Sequence, residues 1–111
     1  MEKGVGGTNG HYIRWANGML INWGWYSAEV NTGTYGALHA CTLPIRNFAY
    51  EFSHSTYYCG ITPYFTEAVG MDIRTIAQAY FEPRVYTGVA MTAQTRQFAY
   101  FAFGRWKEDI V

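Results

Sequence analysis

The stretch YIRWANGMLINWGWY, residues 12–26, decides the fold that this sequence predicts. The pair Asn17-Gly18 separates two runs of strand-forming residues, and an Asn-Gly pair in that position is the strongest short-range signal for a β-hairpin. Both residues tolerate positive φ, so we expect a two-residue type I′ turn. Such a turn places Trp15 opposite Leu20 on the neighbouring strand.

The predicted hairpin carries apolar residues on both faces. In the expected pairing one face holds Tyr12, Met19, Ile21, Trp23 and Trp25, and the other holds Ile13, Trp15 and Leu20. Only Arg14 and Asn22 interrupt this pattern. An antiparallel sheet usually packs one face on its own core and leaves the other to water. The second apolar face must therefore meet another layer of the chain or another subunit.

Length and composition narrow the class of protein. The 111 residues predict one domain with enough chain to bury a core. Half of the residues are hydrophobic and 19% are aromatic, whereas only 14% are charged. An ordinary globular protein has roughly 25% charged residues. A lone molecule with so few charges would have a sticky surface, which also favours an oligomer.

Charge and hydropathy argue against nucleic acid and membranes as partners. The formal net charge is zero, so no electrostatic attraction to nucleic acid or to an anionic membrane is expected. No apolar run approaches the roughly 20 residues of a transmembrane helix. The first ten residues, MEKGVGGTNG, lack the apolar core of a signal peptide. We therefore expect no membrane insertion and no export by a standard signal peptide.

The rest of the chain predicts further strands between turns. Long loops are expected at residues 27–37 and 62–72, and strands at 38–43, 48–61 and 71–81. A turn is expected at 82–84. A last pair of strands is expected at 85–93 and 98–106, joined by the polar residues 94–97. The segment 71–81 also fits a helical period, but its neighbours favour a strand. In the last strand Phe98 and Tyr100 lie on one side, and Phe101 and Phe103 on the other.

Six to eight strands with no convincing helix predict an all-β fold, an antiparallel β-sandwich or barrel-like sandwich. Two stacked sheets cover only one face of each strand. The outer aromatic faces are then expected to be buried between chains, most simply in a closed cyclic oligomer. The residues expected at that oligomer interface are Trp15, Trp23, Trp25, Phe101 and Phe103.

Three stretches taken together resemble a known family. They are the opening GHYIRWANGMLINWG, the central LPI, and the closing FAYFAFGRWK. Their order and spacing resemble the carboxy-terminal receptor-binding knob domain of bacteriophage tail fibres, the gp53-like class, over Gly10 to Lys107. His11 stands where that family usually has glycine, Leu43 where it has phenylalanine, and Phe101 to Phe103 where it has tryptophan and isoleucine. These departures keep apolar character nearly throughout.

The resemblance implies a homotrimeric β-sandwich at the distal tip of a phage or prophage tail fibre. Residues 11–107 correspond to the tip domain, residues 1–10 to a flexible linker from the upstream fibre shaft, and residues 108–111 to a C-terminal tail. The implied function is host adsorption by binding a bacterial surface polysaccharide or protein receptor. The implied location is the virion, after synthesis in the host cytoplasm. Alternatives are a structural trimerisation cap, a glycan-degrading depolymerase and a cellular lectin.

Aromatic residues in the predicted loops are the candidate receptor site. An aromatic ring offers a flat apolar platform to the C–H face of a sugar, and neighbouring polar side chains bond its hydroxyls. The candidates are Tyr26, Asn31, Thr34, Tyr35, Tyr64, Phe65 and Thr66, with Thr32 beside them. The alternative is that these rings pack beneath their loops or against a neighbouring chain.

Catalytic, metal and disulfide chemistry have little support in the sequence. A glycosidase needs two carboxyl groups flanking a cleft, and no motif singles out a pair among Glu29, Glu51, Glu67, Asp72 and Glu82. The histidines, His11, His39 and His54, have no ligand spacing, although a threefold axis can present one histidine three times. Cys41 and Cys59 are expected to be free thiols. We expect a protein that is not an enzyme and holds no metal or cofactor.

Overall fold

The structure, a computed structural model, describes residues 2–5, 9–54 and 57–107. In this part of the chain it contains ten strands and no α-helix, and every strand pairing is antiparallel, so the all-β prediction is confirmed. The strands are β1 Glu2–Val5, β2 His11–Arg14, β3 Met19–Val30, β4 Gly33–Tyr35, β5 Leu38–Thr42, β6 Arg46–Asn47, β7 Tyr58–Pro63, β8 Ala68–Ile76, β9 Tyr80–Thr87 and β10 Gln94–Arg105.

The strands form two sheets. The first sheet has the order β1-β2-β3-β10-β7, and its long central strands pair over their whole length, from Met19 opposite Arg105 to Val30 opposite Gln94. The second sheet is built around β9. One side of β9 pairs with β5 and then β6, the other side pairs with β8, and β4 extends the sheet beyond β5.

The Asn17-Gly18 hairpin is confirmed, but its turn differs from the prediction. The Trp15 N–H donates to the Met19 carbonyl (2.9 Å) and the Gly18 N–H donates to the Trp15 carbonyl (3.0 Å), which closes a three-residue loop. Within this loop only Gly18 has a positive φ, of 100°, whereas a type I′ turn needs two such residues. The loop is a type I turn followed by a bulge in which glycine takes the left-handed position.

The longer loop shifts the pairing of β2 with β3 by one residue, and such a shift exchanges the two faces. Ile13 lies opposite Ile21, and Arg14 opposite Leu20. The predicted placement of Ile13 and Trp15 on the face of Leu20, and of Tyr12 on the opposite face, is therefore wrong. The outer face of the hairpin carries Ile13, Trp15, Met19, Ile21, Trp23 and Trp25, and the inner face carries Tyr12, Arg14, Leu20 and Asn22.

The inner faces of the two sheets share one core in two clusters. One cluster contains Ala28, Val30, Cys41, Leu43, Val85, Met91 and Phe98. The other contains Leu20, Phe48, Phe52, Phe81, Tyr100 and Ala102. Each cluster draws side chains from both sheets, and each large apolar side chain stabilises the fold by about 1.5–3 kcal/mol on burial. The clusters lie within a molecule measuring 49 × 25 × 17 Å.

The predicted strand over residues 48–61 is wrong in its first half. Residues 48–54 carry no strand, and β7 begins only at Tyr58. A buried side chain, Asn22, holds this segment. Its Nδ2 donates to the Tyr50 carbonyl (2.9 Å) and its Oδ1 accepts from the Tyr50 N–H (3.0 Å). The side-chain amide thus makes the two backbone hydrogen bonds that a neighbouring strand would otherwise make. The segment therefore covers the second cluster with Phe48 and Phe52.

Two predicted loops are shorter than expected. Residues 27–30 extend β3, because they pair with residues 94–97 of β10, and β4 follows almost at once. Here Ala28 and Val30 are buried while Ser27 and Glu29 are exposed, which is strand alternation. The second loop contains only residues 64–67, because β7 extends to Pro63 and β8 begins at Ala68.

The predicted turn at residues 82–84 is wrong, since all three residues lie inside β9. Pro83 is tolerated there because the pairing of β8 with β9 is irregular between Ile73 and Thr75. The predicted pairing of the last two strands is also wrong, since β9 and β10 belong to different sheets and residues 94–97, predicted to join the pair, lie inside β10. The strand prediction for residues 71–81 holds, although a turn at residues 77–79 divides it between β8 and β9.

The chain termini and the cysteines complete the fold. Within the predicted linker, Glu2–Val5 forms β1 and pairs with β2. Residues 1 and 6–8 and the predicted tail 108–111 lie outside the described residues. Cys41 and Cys59 are free thiols, as predicted. Burial raises the pKa of the Cys59 thiol to about 12, so this thiol is protonated and unreactive at neutral pH.

Candidate functional site

The central part of the outer face of the first sheet is apolar and open. We call it the apolar face, and its residues are Ile13, Trp15, Met19, Ile21, Trp23, Trp25, Tyr58, Phe101 and Phe103. Trp25 is 60% exposed and Tyr58 is 61% exposed. Phe101 and Phe103 are 45% and 42% exposed. Large aromatic side chains in one continuous patch at this exposure mark an interaction surface.

A shallow groove runs along the apolar face. It has a volume of about 380 Å³, and its lining includes Trp23, Trp25, Gly60, Thr62 and Phe101. Gly60 lies opposite Phe101 in the strand pairing, and the Phe101 ring packs over it, 3.4 Å from the position that a Gly60 side chain would take. At one end the ring of Tyr64 lies against Trp25, with 5.0 Å between centroids. The groove offers an apolar side chain a largely apolar floor to pack against.

All five residues predicted for an oligomer interface lie on this one face. Phe101 and Phe103 pair with Trp23 and Ile21 of β3, and alternation adds Trp25 and Trp15. The two faces of the closing strand also divide as predicted, because Phe98 and Tyr100 are buried. The residues divide in this way because β3 and β10 pair over their full length, so each pair of opposed residues points to the same face of the sheet.

The outer face of the second sheet has a different chemistry. We call it the tyrosine–arginine face, and its polar and aromatic residues are Tyr35, Thr42, Asp72, Arg74, Glu82, Arg84 and Tyr86, with Leu38 opposite Tyr35. The rings of Tyr35 and Tyr86 lie 5.4 Å apart between centroids. The Arg84 guanidinium lies over both rings, 5.2 Å from Tyr35 and 5.1 Å from Tyr86. Tyr35 remains 51% exposed.

A hydrogen-bond network holds the polar groups of this face in place. Arg84 donates to Asp72 from Nη2 (2.9 Å) and from Nε (3.3 Å), and the Tyr86 hydroxyl donates to the same carboxylate (2.7 Å). At its edge Arg74 lies 3.9 Å from Glu82. Because two arginines face two carboxylates, the network as a whole carries no net charge.

The charges of this network follow from its geometry. The hydrogen bonds from Arg84 lower the pKa of Asp72, which keeps this carboxyl group ionised. The same hydrogen bonds raise the pKa of Arg84. The bond to Asp72 also raises the pKa of Tyr86, so the phenol stays protonated and remains a donor. The face therefore presents a fixed carboxylate, guanidinium and phenol side by side.

Acid is expected to weaken this network. A carboxyl group with a lowered folded pKa contributes stability above its usual pKa of 3.8, and loses it as the pH falls through the folded value. We expect the melting temperature of Asp72→Asn to fall less than that of the wild type between neutral pH and about pH 3. Thermal unfolding followed by circular dichroism measures both slopes. Equal losses in the two proteins would show that Asp72 contributes nothing to the acid response.

The aromatic residues predicted for a receptor site do not lie together. Tyr26 stacks on buried Phe98 at 5.3 Å between centroids, and Phe65 packs edge-on against the same ring at 5.6 Å. Both belong to the margin of the core. Tyr64 lies beside the apolar face, and Tyr35 lies on the opposite side of the molecule.

The polar members of the predicted site are also dispersed. Asn31 is bonded to neighbouring parts of the fold, since it donates to Glu29 of β3 (2.8 Å) and accepts from the Ala93 N–H just before β10 (2.7 Å). The Thr32 hydroxyl accepts from the Met91 N–H (2.8 Å). Thr34 lies in β4 and Thr66 in the loop before β8, and both are exposed. Of the predicted receptor residues, only Tyr35 joins the tyrosine–arginine face.

Sequence reasoning missed Asp72, Arg84 and Tyr86 as members of one site. They lie 12 and 14 residues apart and meet only because β8 pairs with β9. The sequence did contain one signal for this face. In β9 the polar or aromatic residues Glu82, Arg84 and Tyr86 alternate with buried residues, which is the pattern of a strand with one wet face.

The two outer faces thus differ, one being apolar and the other polar and internally neutral. In residues 2–5, 9–54 and 57–107 no three or more His, Cys, Asp or Glu side chains are grouped so as to hold a metal ion. That same portion has no helix with the length and hydrophobicity needed to cross a membrane. Comparison with protein-family models, curated proteins and solved structures gives no match for this chain.

Proposed function

We propose that this chain is the distal tip of a bacteriophage or prophage tail fibre, a β-sandwich that forms a homotrimer and binds a bacterial surface receptor for host adsorption. The three motifs from Gly10 to Lys107 support the viral assignment. The observation that carries the proposal is the apolar face. A fibre tip needs a surface that joins its chains, and this face supplies one.

The apolar face is better suited to contact with a second copy of the chain than to exposure to water. Its exposed aromatic rings stack on one another, with 5.1 Å between the centroids of Tyr58 and Phe103 and 6.0 Å between those of Phe101 and Phe103. Burying apolar area stabilises an assembly by about 25 cal/mol per Å² before the entropic cost of association. Three copies around one axis would present three receptor sites, which raises avidity without any new contact.

Three of the described carboxyl groups, Glu2, Glu67 and Asp72, are better suited to binding than to acting as a general acid. A glycosidase general acid needs a raised pKa. A hydrogen bond from Arg14 lowers the pKa of Glu2, its own backbone N–H lowers that of Glu67, and Arg84 lowers that of Asp72. These three carboxylates are suited to accepting hydrogen bonds from a ligand or from neighbouring side chains.

Sedimentation equilibrium of the purified chain tests the assembly. We expect the wild type at micromolar concentration to have three times the 12.6 kDa mass of one chain. Phe101→Glu and Trp25→Glu place a charge on the apolar face and are expected to give folded single chains. Leu38→Glu, at a site 38% exposed in β5 of the second sheet, is the matched control and should stay trimeric. A wild type that sediments as a single chain would refute the proposal.

Binding to bacteria tests the adhesive part of the proposal. Fluorescently labelled chain is mixed with a panel of bacterial strains, and bound label is counted by flow cytometry. We expect strong labelling of a subset of strains and weaker labelling by Phe101→Glu, since a single chain has lost the avidity of three sites. A trimer that labels no strain would favour a structural cap over a receptor-binding tip.

A further inference from the structure

The tyrosine–arginine face has the features of a ligand site and lies opposite the face assigned to assembly. We propose that it is the receptor site of this domain and that its ligand is an uncharged sugar ring of a bacterial surface polysaccharide. This inference rests on the proposed function, because a face covered by another copy of the chain cannot also meet a receptor. Three features of this face fit such a ligand: an exposed ring, polar groups with unused bonding capacity, and balanced charge.

The exposed ring is that of Tyr35. It lies in β4 at the margin of the second sheet, is 51% exposed, and is held by Tyr86 on its neighbouring side. A sugar ring has one face of C–H groups, and a flat aromatic ring covers that face with little loss of side-chain entropy. Arg84 supports both tyrosine rings from the sheet, so the platform exists before any ligand arrives.

The polar groups beside Tyr35 keep free bonding capacity. The Asp72 carboxylate accepts three hydrogen bonds, from Arg84 twice and from Tyr86 once, and a carboxylate has about four acceptor sites. A guanidinium has about five donors, of which these bonds use two. Both side chains reach solvent, Asp72 being 43% and Arg84 23% exposed. Adjacent sugar hydroxyls are both donors and acceptors, so they can bond the carboxylate and the guanidinium together.

The charge balance selects among ligands. Arg84 and Asp72 neutralise each other, and Arg74 faces Glu82 at the edge. An anionic sugar would meet a carboxylate together with the guanidinium and would gain little, whereas an uncharged sugar bonds both groups without repulsion. The network also holds these side chains in one arrangement, which reduces the entropy lost on binding. The groove of the apolar face is lined mainly by apolar and aromatic residues and by glycine, together with Thr62.

The test uses the full chain on an array of purified bacterial O-polysaccharides, some uncharged and some carrying uronic acids. We expect binding to a subset of the uncharged polymers, with affinity then measured by calorimetry on the polymer that binds best. Tyr35→Ala and Asp72→Asn should each weaken that binding about tenfold or more, while Tyr35→Phe, which keeps the ring, should bind like the wild type. Circular dichroism and sedimentation confirm that each variant is folded and assembled.

Tyr64→Ala is the matched control, since Tyr64 is 52% exposed but lies beside Trp25 on the apolar side. Full binding by this variant supports the inference, and loss of binding with Tyr35→Ala unaffected would place the site in the groove of the apolar face and overturn it. Preference for uronic-acid polymers, or no binding by a confirmed trimer, would also overturn it. A single-chain wild type that loses binding with Tyr35→Ala would refute the proposed assembly alone.

Whole cells separate a sugar receptor from a protein receptor. Mild periodate cleaves the neighbouring hydroxyls of surface sugars, and protease removes surface proteins. We expect labelling of a susceptible strain to be lost after periodate and kept after protease. The reverse result would assign the receptor to a protein and overturn the inference.

Discussion

Asn22→Ala is expected to lower the free energy of unfolding by about 2–4 kcal/mol. Asn22 is fully buried, and its amide makes two hydrogen bonds to the backbone of Tyr50. Removing the amide leaves a partly buried N–H and a carbonyl without partners, and each such group costs about 1–3 kcal/mol. The segment of residues 48–54 would also lose its attachment to the first sheet.

Urea unfolding at a single protein concentration measures this effect, because assembly adds to stability in a concentration-dependent way. Asn47→Ala, at an exposed asparagine in β6, is the control and should change stability by less than about 0.5 kcal/mol. Asn22→Asp removes the donor and buries a charge, so this variant should regain stability as the pH falls and the carboxyl group is protonated. Similar stabilities of Asn22→Ala and Asn47→Ala would show that the amide does not hold the segment.

Phe81→Ala is expected to destabilise the fold by about 3–5 kcal/mol. Phe81 is fully buried in β9, and its ring lies 5.4 Å from that of Phe48 and 5.3 Å from that of Tyr100, measured between centroids. It therefore joins the second sheet both to the covering segment and to the first sheet. Truncation removes apolar burial and leaves a cavity that three separate elements would have to close.

The size series at this position gives a sharper test than one variant. Phe81→Leu keeps most of the apolar volume and should lose less stability than Phe81→Ala. Val69→Ala, at a site 60% exposed in β8 of the same sheet, should be nearly neutral. If Phe81→Ala unfolded at the same urea concentration as Val69→Ala, the core assigned to the second cluster would be wrong.

The residue pattern alone determined the all-β class and the two-faced character of the central strands. Alternation in residues 19–25 and 98–103 separates two sets of large apolar side chains, and this separation holds whichever strands become neighbours. The grouping of Trp23 with Trp25 on one face, and of Phe101 with Phe103 on one face, could therefore be predicted in advance. Local alternation carries that information because a strand exposes opposite faces at successive residues.

Tertiary contacts decided the hairpin register. An Asn-Gly pair suits both a two-residue turn and a three-residue loop with a bulge. The choice involves the far end of the chain, where the Trp106 N–H donates to the Gly18 carbonyl (2.9 Å) and the Trp106 ring N–H donates to the Trp15 carbonyl (2.7 Å). Arg105 also donates to the Asn17 carbonyl. These partners lie about 90 residues from the turn, so local propensity cannot reveal them.

Tertiary structure also decided which aromatic residues are open to a ligand. Tyr26, Tyr35 and Phe65 were all predicted to lie in or beside loops, yet Tyr26 and Phe65 pack on Phe98 while Tyr35 remains exposed. Arg84, Tyr86 and Asp72 became neighbours only through the pairing of β8 with β9. Burial and the meeting of distant side chains depend on which strands pair and which faces pack, and those are properties of the whole chain.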